Sequence, residues 1–141
     1  MNNNLQIETS IDINATKDQV WDALTNPDKI KQYLFGTNTK TDWKEGSDLV
    51  FEGDYQGRHY KDEGKILSNK KNELLAYTYW SGFTGLENKP QNYSNVTFRL
   101  SGENPVKLTL QQRGFVNEKA ADHSKENWEK VLNHIREICE K

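Results

Sequence analysis

The chain has 141 residues, 33% of them hydrophobic, and its 19 basic and 21 acidic side chains give a formal net charge of −2. This length suits one domain that buries a core without disulfides or metal, and we expect a single domain over residues 1–141. The charges are mixed and form no basic stripe, which argues against nucleic acid as a partner. No apolar run approaches the roughly 18 residues of a membrane helix, and no charged start precedes one, so we expect a cytoplasmic protein.

Aromatic side chains must supply much of the core, since the chain holds 4 Trp, 6 Tyr and 5 Phe. Bulky rings around a small aliphatic core suit a domain with an internal hollow. A core packed solid with the same rings fits the composition equally well. The one cysteine, Cys139, allows no internal disulfide, and its position on an apolar helix stripe favours a small core residue over a nucleophile.

The first predicted elements are a strand and two short helices. Residues 5–13 alternate between a face of aliphatic side chains with Thr9 and a fully polar face, which is typical of a half-buried strand. Thr16 and Gln19 form a capping box that predicts a short helix. Asn26-Pro27 ends that helix and begins a second one. Two short helices placed here would support one side of a sheet.

A meander of six strands is predicted from about residue 39 to residue 113, with short connections that indicate antiparallel neighbours. In the strand at 74–80 both faces carry apolar atoms, and we expect the face of Trp80 to lie inward and the tyrosines to be exposed. Residues 81–92 form a loop by composition, and Phe83 within it is either a rim residue of a binding site or a plain anchor. The expected strands are 39–43, 48–52, 59–67, 74–80, 93–101 and 106–111.

The longest apolar periodicity lies at residues 118–141, where no Gly or Pro interrupts a helical pattern. The inner face of a half-buried antiparallel sheet needs an apolar partner. We therefore predict an α+β fold in which this helix crosses the concave face of a curved sheet, with any ligand between them. The apolar stripe consists of Trp128, Val131, Leu132, Ile135, Ile138 and Cys139.

The expected site is a pocket for a small hydrophobic or amphipathic ligand, bound without catalysis, metal or cofactor. Its walls would come from inward-facing sheet positions and from the helix stripe. Polar atoms of Tyr60 and Trp80 would orient the ligand, as small-molecule sites usually require. The predicted ligand-binding residues are Trp43, Phe51, Tyr60, Trp80, Phe83, Phe98, Trp128, Leu132 and Ile135.

A cyclase-type or hydrolase-type enzyme is an alternative, although no motif for a metal, a nucleotide or a nucleophilic serine is present. Asp62, Glu63 or His59 would act as acid or base near the cavity mouth. Strand alternation sends Asp62 and Glu63 to opposite faces, so one of them at most looks inward. A carboxylate buried beside the cavity with a raised pKa would favour this alternative.

Five stretches carry a family resemblance: INATKDQVWDALTNPDKIKQYL after the first strand, LLAYTYW, VTF and LTL in later strands, and NWEKVLNHI in the last helix. In this order they resemble the START-like (helix-grip, SRPBCC) superfamily, and within it the AHSA-type family named after the activator of heat-shock protein 90 ATPase. The resemblance implies a cavity between sheet and long helix, but the fold cannot choose the ligand. It also implies an alternative function, a co-chaperone-like domain of the stress response whose contact surface would include Tyr77 and Tyr79.

Overall fold

The computed structural model describes residues 1–141 and contains seven strands and three α-helices. The sheet is antiparallel throughout, and the predicted α+β helix-grip fold is confirmed. The strands are β1 (Asn2–Ile13), β2 (Asn38–Lys40), β3 (Asp48–Tyr55), β4 (Arg58–Lys70), β5 (Leu74–Tyr79), β6 (Ser94–Ser101) and β7 (Val106–Phe115). The helices are α1 (Lys17–Thr25), α2 (Pro27–Tyr33) and α3 (Glu118–Cys139). The strand order in the sheet is β1-β7-β6-β5-β4-β3-β2.

Local capping sets the start of both short helices. The Thr16 hydroxyl accepts a hydrogen bond from the Gln19 backbone N–H at 3.1 Å, and the Gln19 side chain accepts one from the Thr16 N–H at 2.9 Å. Asn26 caps α2 by accepting from the Asp28 N–H. The buried Tyr33 hydroxyl donates to the Ala23 carbonyl at 2.9 Å and ties α2 to α1. The predicted capping box and the Asn-Pro junction are therefore both present.

The long helix covers only part of the concave face. Ala121, Val131, Leu132, Ile135 and Cys139 on its inner side are buried. Its most extensive contacts are with β1, α1, α2 and β7, and Trp128 also packs edge-on against Phe98 of β6, so it lies mainly over the β1–β7 half of the sheet. The inner face of β3, β4 and β5 is consequently not filled by the helix, and space remains there.

The orientation of β5 differs from the prediction. Leu75 and Tyr77 are buried at 1% and 6% exposure, so the tyrosine face points inward and the prediction that it is exposed was wrong. Their register partners are Phe98 and Val96 on β6, which are themselves buried. Cross-strand partners share a face of the sheet, so the inward phase of β6 imposes the same phase on β5.

Two backbone features shape the strands near the concave face. Strand β2 ends at Lys40, and Trp43, which the sequence placed in this strand, lies beyond it with a left-handed φ of 65° that a strand does not accommodate. In β4 the buried Gly64 lies so close to β5 that an added Cβ would sit 1.8 Å from the Thr78 carbonyl oxygen. Only glycine allows this approach of the two strands.

Candidate functional site

A cavity of about 590 Å³ lies between α3 and the uncovered inner face of the sheet. Its volume falls within the range of roughly 300 to 1,000 Å³ that is usual for small-molecule sites. Most of its lining is apolar or aromatic. The deeper walls are formed by Leu34, Phe51, Tyr60, Tyr77, Tyr79, Val96, Trp128 and Val131, with Thr37, Asp62, Gln112 and Ser124 as polar members.

Exposed aromatic side chains surround the cavity mouth. Phe35, Tyr55 and Phe83 line the cavity and are 72%, 57% and 54% exposed. The Phe83 ring lies 5.8 Å from the Tyr60 ring and 6.1 Å from the Tyr55 ring, centroid to centroid. The Arg58 guanidinium lies 5.9 Å from the centre of the Phe83 ring. Phe83 thus occupies the rim position that was one of its two sequence interpretations.

Polar side chains of α3 also lie at the cavity mouth. His123, Asn127 and Lys130 line the cavity on one side and are exposed, while Asp54 lines it from the tip of the β3–β4 hairpin. The entrance therefore carries both positive and negative groups. No group of three His, Cys, Asp or Glu side chains is arranged to hold a metal ion.

Asp62 is the one carboxyl group buried in the cavity, with 6% of its surface exposed. Its Oδ2 accepts a hydrogen bond from the Tyr79 hydroxyl at 2.5 Å, and its Oδ1 has no hydrogen-bond partner. Burial raises the pKa of the Asp62 carboxyl, although Tyr79 and the nearby Ser81 side chain act in the opposite direction. Burial and the neighbouring Asp62 charge raise the pKa of Tyr79, so its hydroxyl stays protonated as a donor.

Other buried polar groups of the cavity are paired. Gln112 on β7 accepts from the Trp128 indole N–H at 2.8 Å and from the Ser124 hydroxyl at 3.0 Å, and it donates to Ser94 at 3.0 Å. The Tyr60 hydroxyl lies 2.5 Å from the Thr37 hydroxyl. Asp62 Oδ1 stands out against this pattern.

The structure brings four of the nine predicted ligand-binding residues to the cavity: Phe51, Tyr60, Phe83 and Trp128. Trp43 and Phe98 instead border a separate void of about 20 Å³. The Trp80 indole N–H donates to the Leu86 carbonyl at 3.2 Å and holds the 81–92 loop, because the inverted phase of β5 turns it away from the concave face. Leu132 and Ile135, at 1% and 0% exposure, lie in the solid core and line neither space.

The three suggested acid–base residues lie in different environments. Asp62 points into the cavity, whereas Glu63 lies on the other face of β4 and accepts a hydrogen bond from Asn88. His59 is exposed near the hairpin tip, 3.3 Å from Asp54. Of the three, only Asp62 lines the cavity.

Sequence reasoning missed several lining residues, chiefly Tyr77, Tyr79 and Gln112. The two tyrosines were assigned to the outer face, and as cavity residues they do not form an outward contact surface for a protein partner. A signal for Gln112 was present, since it continues the two-residue alternation of Leu108 and Leu110 on the inner face. Among the α-helices, none combines the length and apolar character that a membrane crossing would need.

Comparison with known proteins places the chain among solved relatives of the same fold. ChR145 from Cytophaga hutchinsonii is 38% identical with a TM-score of 0.83, covering 97% of this chain and 94% of that one. CalU16 from Micromonospora echinospora is 24% identical with a TM-score of 0.74, covering 95% and 75%. The Aha1 dimer from Colwellia psychrerythraea is 17% identical with a TM-score of 0.74, covering 96% of both chains.

No curated protein matches the chain. The family model described as Activator of Hsp90 ATPase homolog 1-like protein matches residues 14–140, nearly the whole chain. Together with the relative that is 38% identical over almost its full length, this match shows that the chain belongs to the family of Activator of Hsp90 ATPase homolog 1-like proteins, within the START-like helix-grip superfamily.

Proposed function

We propose that the domain binds a small hydrophobic or amphipathic molecule between the sheet and α3. The observation that carries the proposal is the cavity of about 590 Å³ with aromatic and aliphatic walls. Protein interiors normally close-pack, and apolar walls without a partner forgo dispersion contacts. A bound molecule would restore those contacts. Membership of a ligand-binding superfamily supports the same reading.

The test is native mass spectrometry of protein purified from its own host, followed by thermal-shift screening of lipids and aromatic compounds. A ligand well above its Kd raises the melting temperature because it binds only the folded state. Val131→Trp would fill the cavity from α3 and should abolish the shift. Val116→Trp is the matched control, since Val116 is 40% exposed and does not line the cavity. Equal shifts in both variants, or no bound molecule and no shift in the wild type, would count against the proposal.

General acid–base catalysis in the same cavity is a second candidate function, favoured by the burial of Asp62 beside Tyr79. A desolvated carboxylate among aromatic rings is a strong base toward a bound carbon acid. Nitrobenzisoxazole is a suitable probe: the carboxylate removes the ring C–H proton, the N–O bond breaks, and a coloured cyanophenolate forms. We expect the wild type to accelerate this reaction and Asp62→Asn to lose the acceleration. The same rate for both proteins would leave Asp62 without a catalytic role.

A chaperone partner, suggested by the family name, is the remaining alternative. Such a partner would have to bind an exterior surface that does not include Tyr77 and Tyr79. Phe35, Tyr55 and Phe83 are exposed aromatic side chains that could contact it. Pull-down against the heat-shock protein 90 of the same cell decides this alternative. Retention by the wild type and its loss in Phe83→Ser would support it.

A further inference from the structure

We propose that Asp62 is the polar anchor for the buried end of the ligand, and that this end carries a hydrogen-bond donor, either a hydroxyl or a protonated amine. The inference rests on the proposed function, because it names the class of molecule that the same cavity takes. Asp62 Oδ1 is the acceptor, while Oδ2 is already engaged by the Tyr79 hydroxyl at 2.5 Å.

The first support is the pairing of buried polar atoms. Only three buried side-chain oxygens lack a hydrogen-bond partner, and those of Thr39 and Asn72 do not line the cavity. Asp62 Oδ1 is therefore the single buried oxygen of the site without a hydrogen-bond partner of ordinary geometry, although the nearby Ser81 side chain lowers the pKa of the carboxyl. An unpaired buried acceptor is unfavourable, and a carboxylate more so than a neutral group. A donor brought by the ligand removes that penalty.

The second support is the position of Asp62 along β4. Tyr60, two residues nearer the hairpin tip, contacts the rim residue Phe83, whereas Ile66, four residues further along, is a core residue at 1% exposure. Asp62 thus lies inside the mouth, opposite the buried Phe51 in the β3–β4 register. The apolar body of a ligand would pack on these rings while its donor reaches Oδ1.

The third support is charge. No basic side chain makes an ion pair with Asp62. The one Lys or Arg side chain of the lining, Lys130, is exposed on α3 at the mouth. Aromatic faces such as those of Phe51 and Tyr77 also favour a cation over an anion. A fatty-acid carboxylate is therefore repelled from the inner end and would turn outward toward Lys130.

Calorimetric titration with a matched set of probes tests this inference. Decanol and decylamine carry a terminal donor, decyl methyl ether carries an acceptor without a donor, and decanoate carries the wrong charge. We expect the wild type to bind the better donor probe about tenfold or more tightly than the ether, the effect of one hydrogen bond to a charged group. The alcohol and the amine distinguish a neutral donor from a cationic one.

Asp62→Asn should remove the preference for donors, whereas Asp54→Asn should keep it. Asp54 is the matched control because it is a second cavity carboxylate, but an exposed one at the mouth. Binding of the four probes with one affinity in the wild type overturns the inference and leaves cavity binding intact. Failure of all four to bind overturns both proposals. The preference within the wild type decides the matter even if Asp62→Asn does not fold.

Discussion

The Trp128 indole N–H on α3 donates a 2.8 Å hydrogen bond to the Gln112 side chain on β7. The Ser124 hydroxyl, one helical turn earlier, donates to the same oxygen at 3.0 Å. Two donors of the helix thus meet one buried acceptor of the sheet. This contact fixes the helix beside the cavity that it borders.

Gln112→Leu should lower the free energy of unfolding by about 1 to 3 kcal/mol, because it leaves buried donors without partners. The matched control is Gln111→Leu, which changes the neighbouring glutamine on the outer face. The Gln111 side chain donates a hydrogen bond to the exposed Gln6 side chain. That change should stay within about 0.5 kcal/mol. Urea denaturation measures both. Equal costs would show that the Gln112 contact contributes nothing specific.

Adjacent residues of α3 should respond differently to truncation. Leu132→Ala should cost about 2 to 5 kcal/mol, because Leu132 lies in solid core. Val131→Ala should cost less, since Val131 borders a cavity that exists already. Ligand-induced thermal shift should be altered only by Val131→Ala. If Val131→Ala cost more stability than Leu132→Ala, and only Leu132→Ala altered the thermal shift, then Leu132 rather than Val131 would border the cavity.

Gly64→Ala should destabilise the fold by about 2 kcal/mol or more, because the new methyl group would collide with the Thr78 carbonyl oxygen. Gly82→Ala is the control, since its added Cβ would meet only the Trp80 ring at an ordinary 3.7 Å. Melting temperatures of the two variants provide the comparison. A tolerated alanine at position 64 would mean that β4 and β5 are further apart than described.

Asp62→Asn should change stability in a pH-dependent way. The folded-state pKa of Asp62 is raised above the ordinary 3.8, so the folded protein holds this proton more tightly than the unfolded chain. The resulting stabilisation of the wild type is present at acid pH and is lost as pH rises above that value. The melting temperature of Asp62→Asn should therefore increase relative to the wild type from acid to neutral pH. A difference that is constant, or that runs the other way, contradicts the burial of the charge.

Cys139 should be unreactive in the folded protein. Burial raises the pKa of its thiol to about 11, so little thiolate exists near neutral pH. Labelling with Ellman's reagent at about pH 8 should be slow in buffer and fast in denaturant. Fast labelling of the native protein would refute the assignment of Cys139 to the core.

The sequence by itself determined the element order, the helix caps and the apolar stripe of α3. Each of these depends on local chemistry: Thr16 and Gln19 lie within one helical turn, and the stripe repeats with the helix period. The stretches that resemble the AHSA-type family also lie in the right order along the chain, and they indicate the fold.

Only the tertiary structure decided which residues meet empty space. Val131 and Leu132 belong to the same stripe, yet one borders the cavity and the other packs in the core, because the helix covers one half of the sheet. Tyr77 faces inward because it is paired with the inward-facing Val96 on β6. The sequence of β5 alone does not set this orientation, since both faces of the strand carry apolar atoms. Asp62 is buried in the cavity wall, and its burial depends on neighbours distant in sequence, such as Tyr79, rather than on the alternation of its own strand.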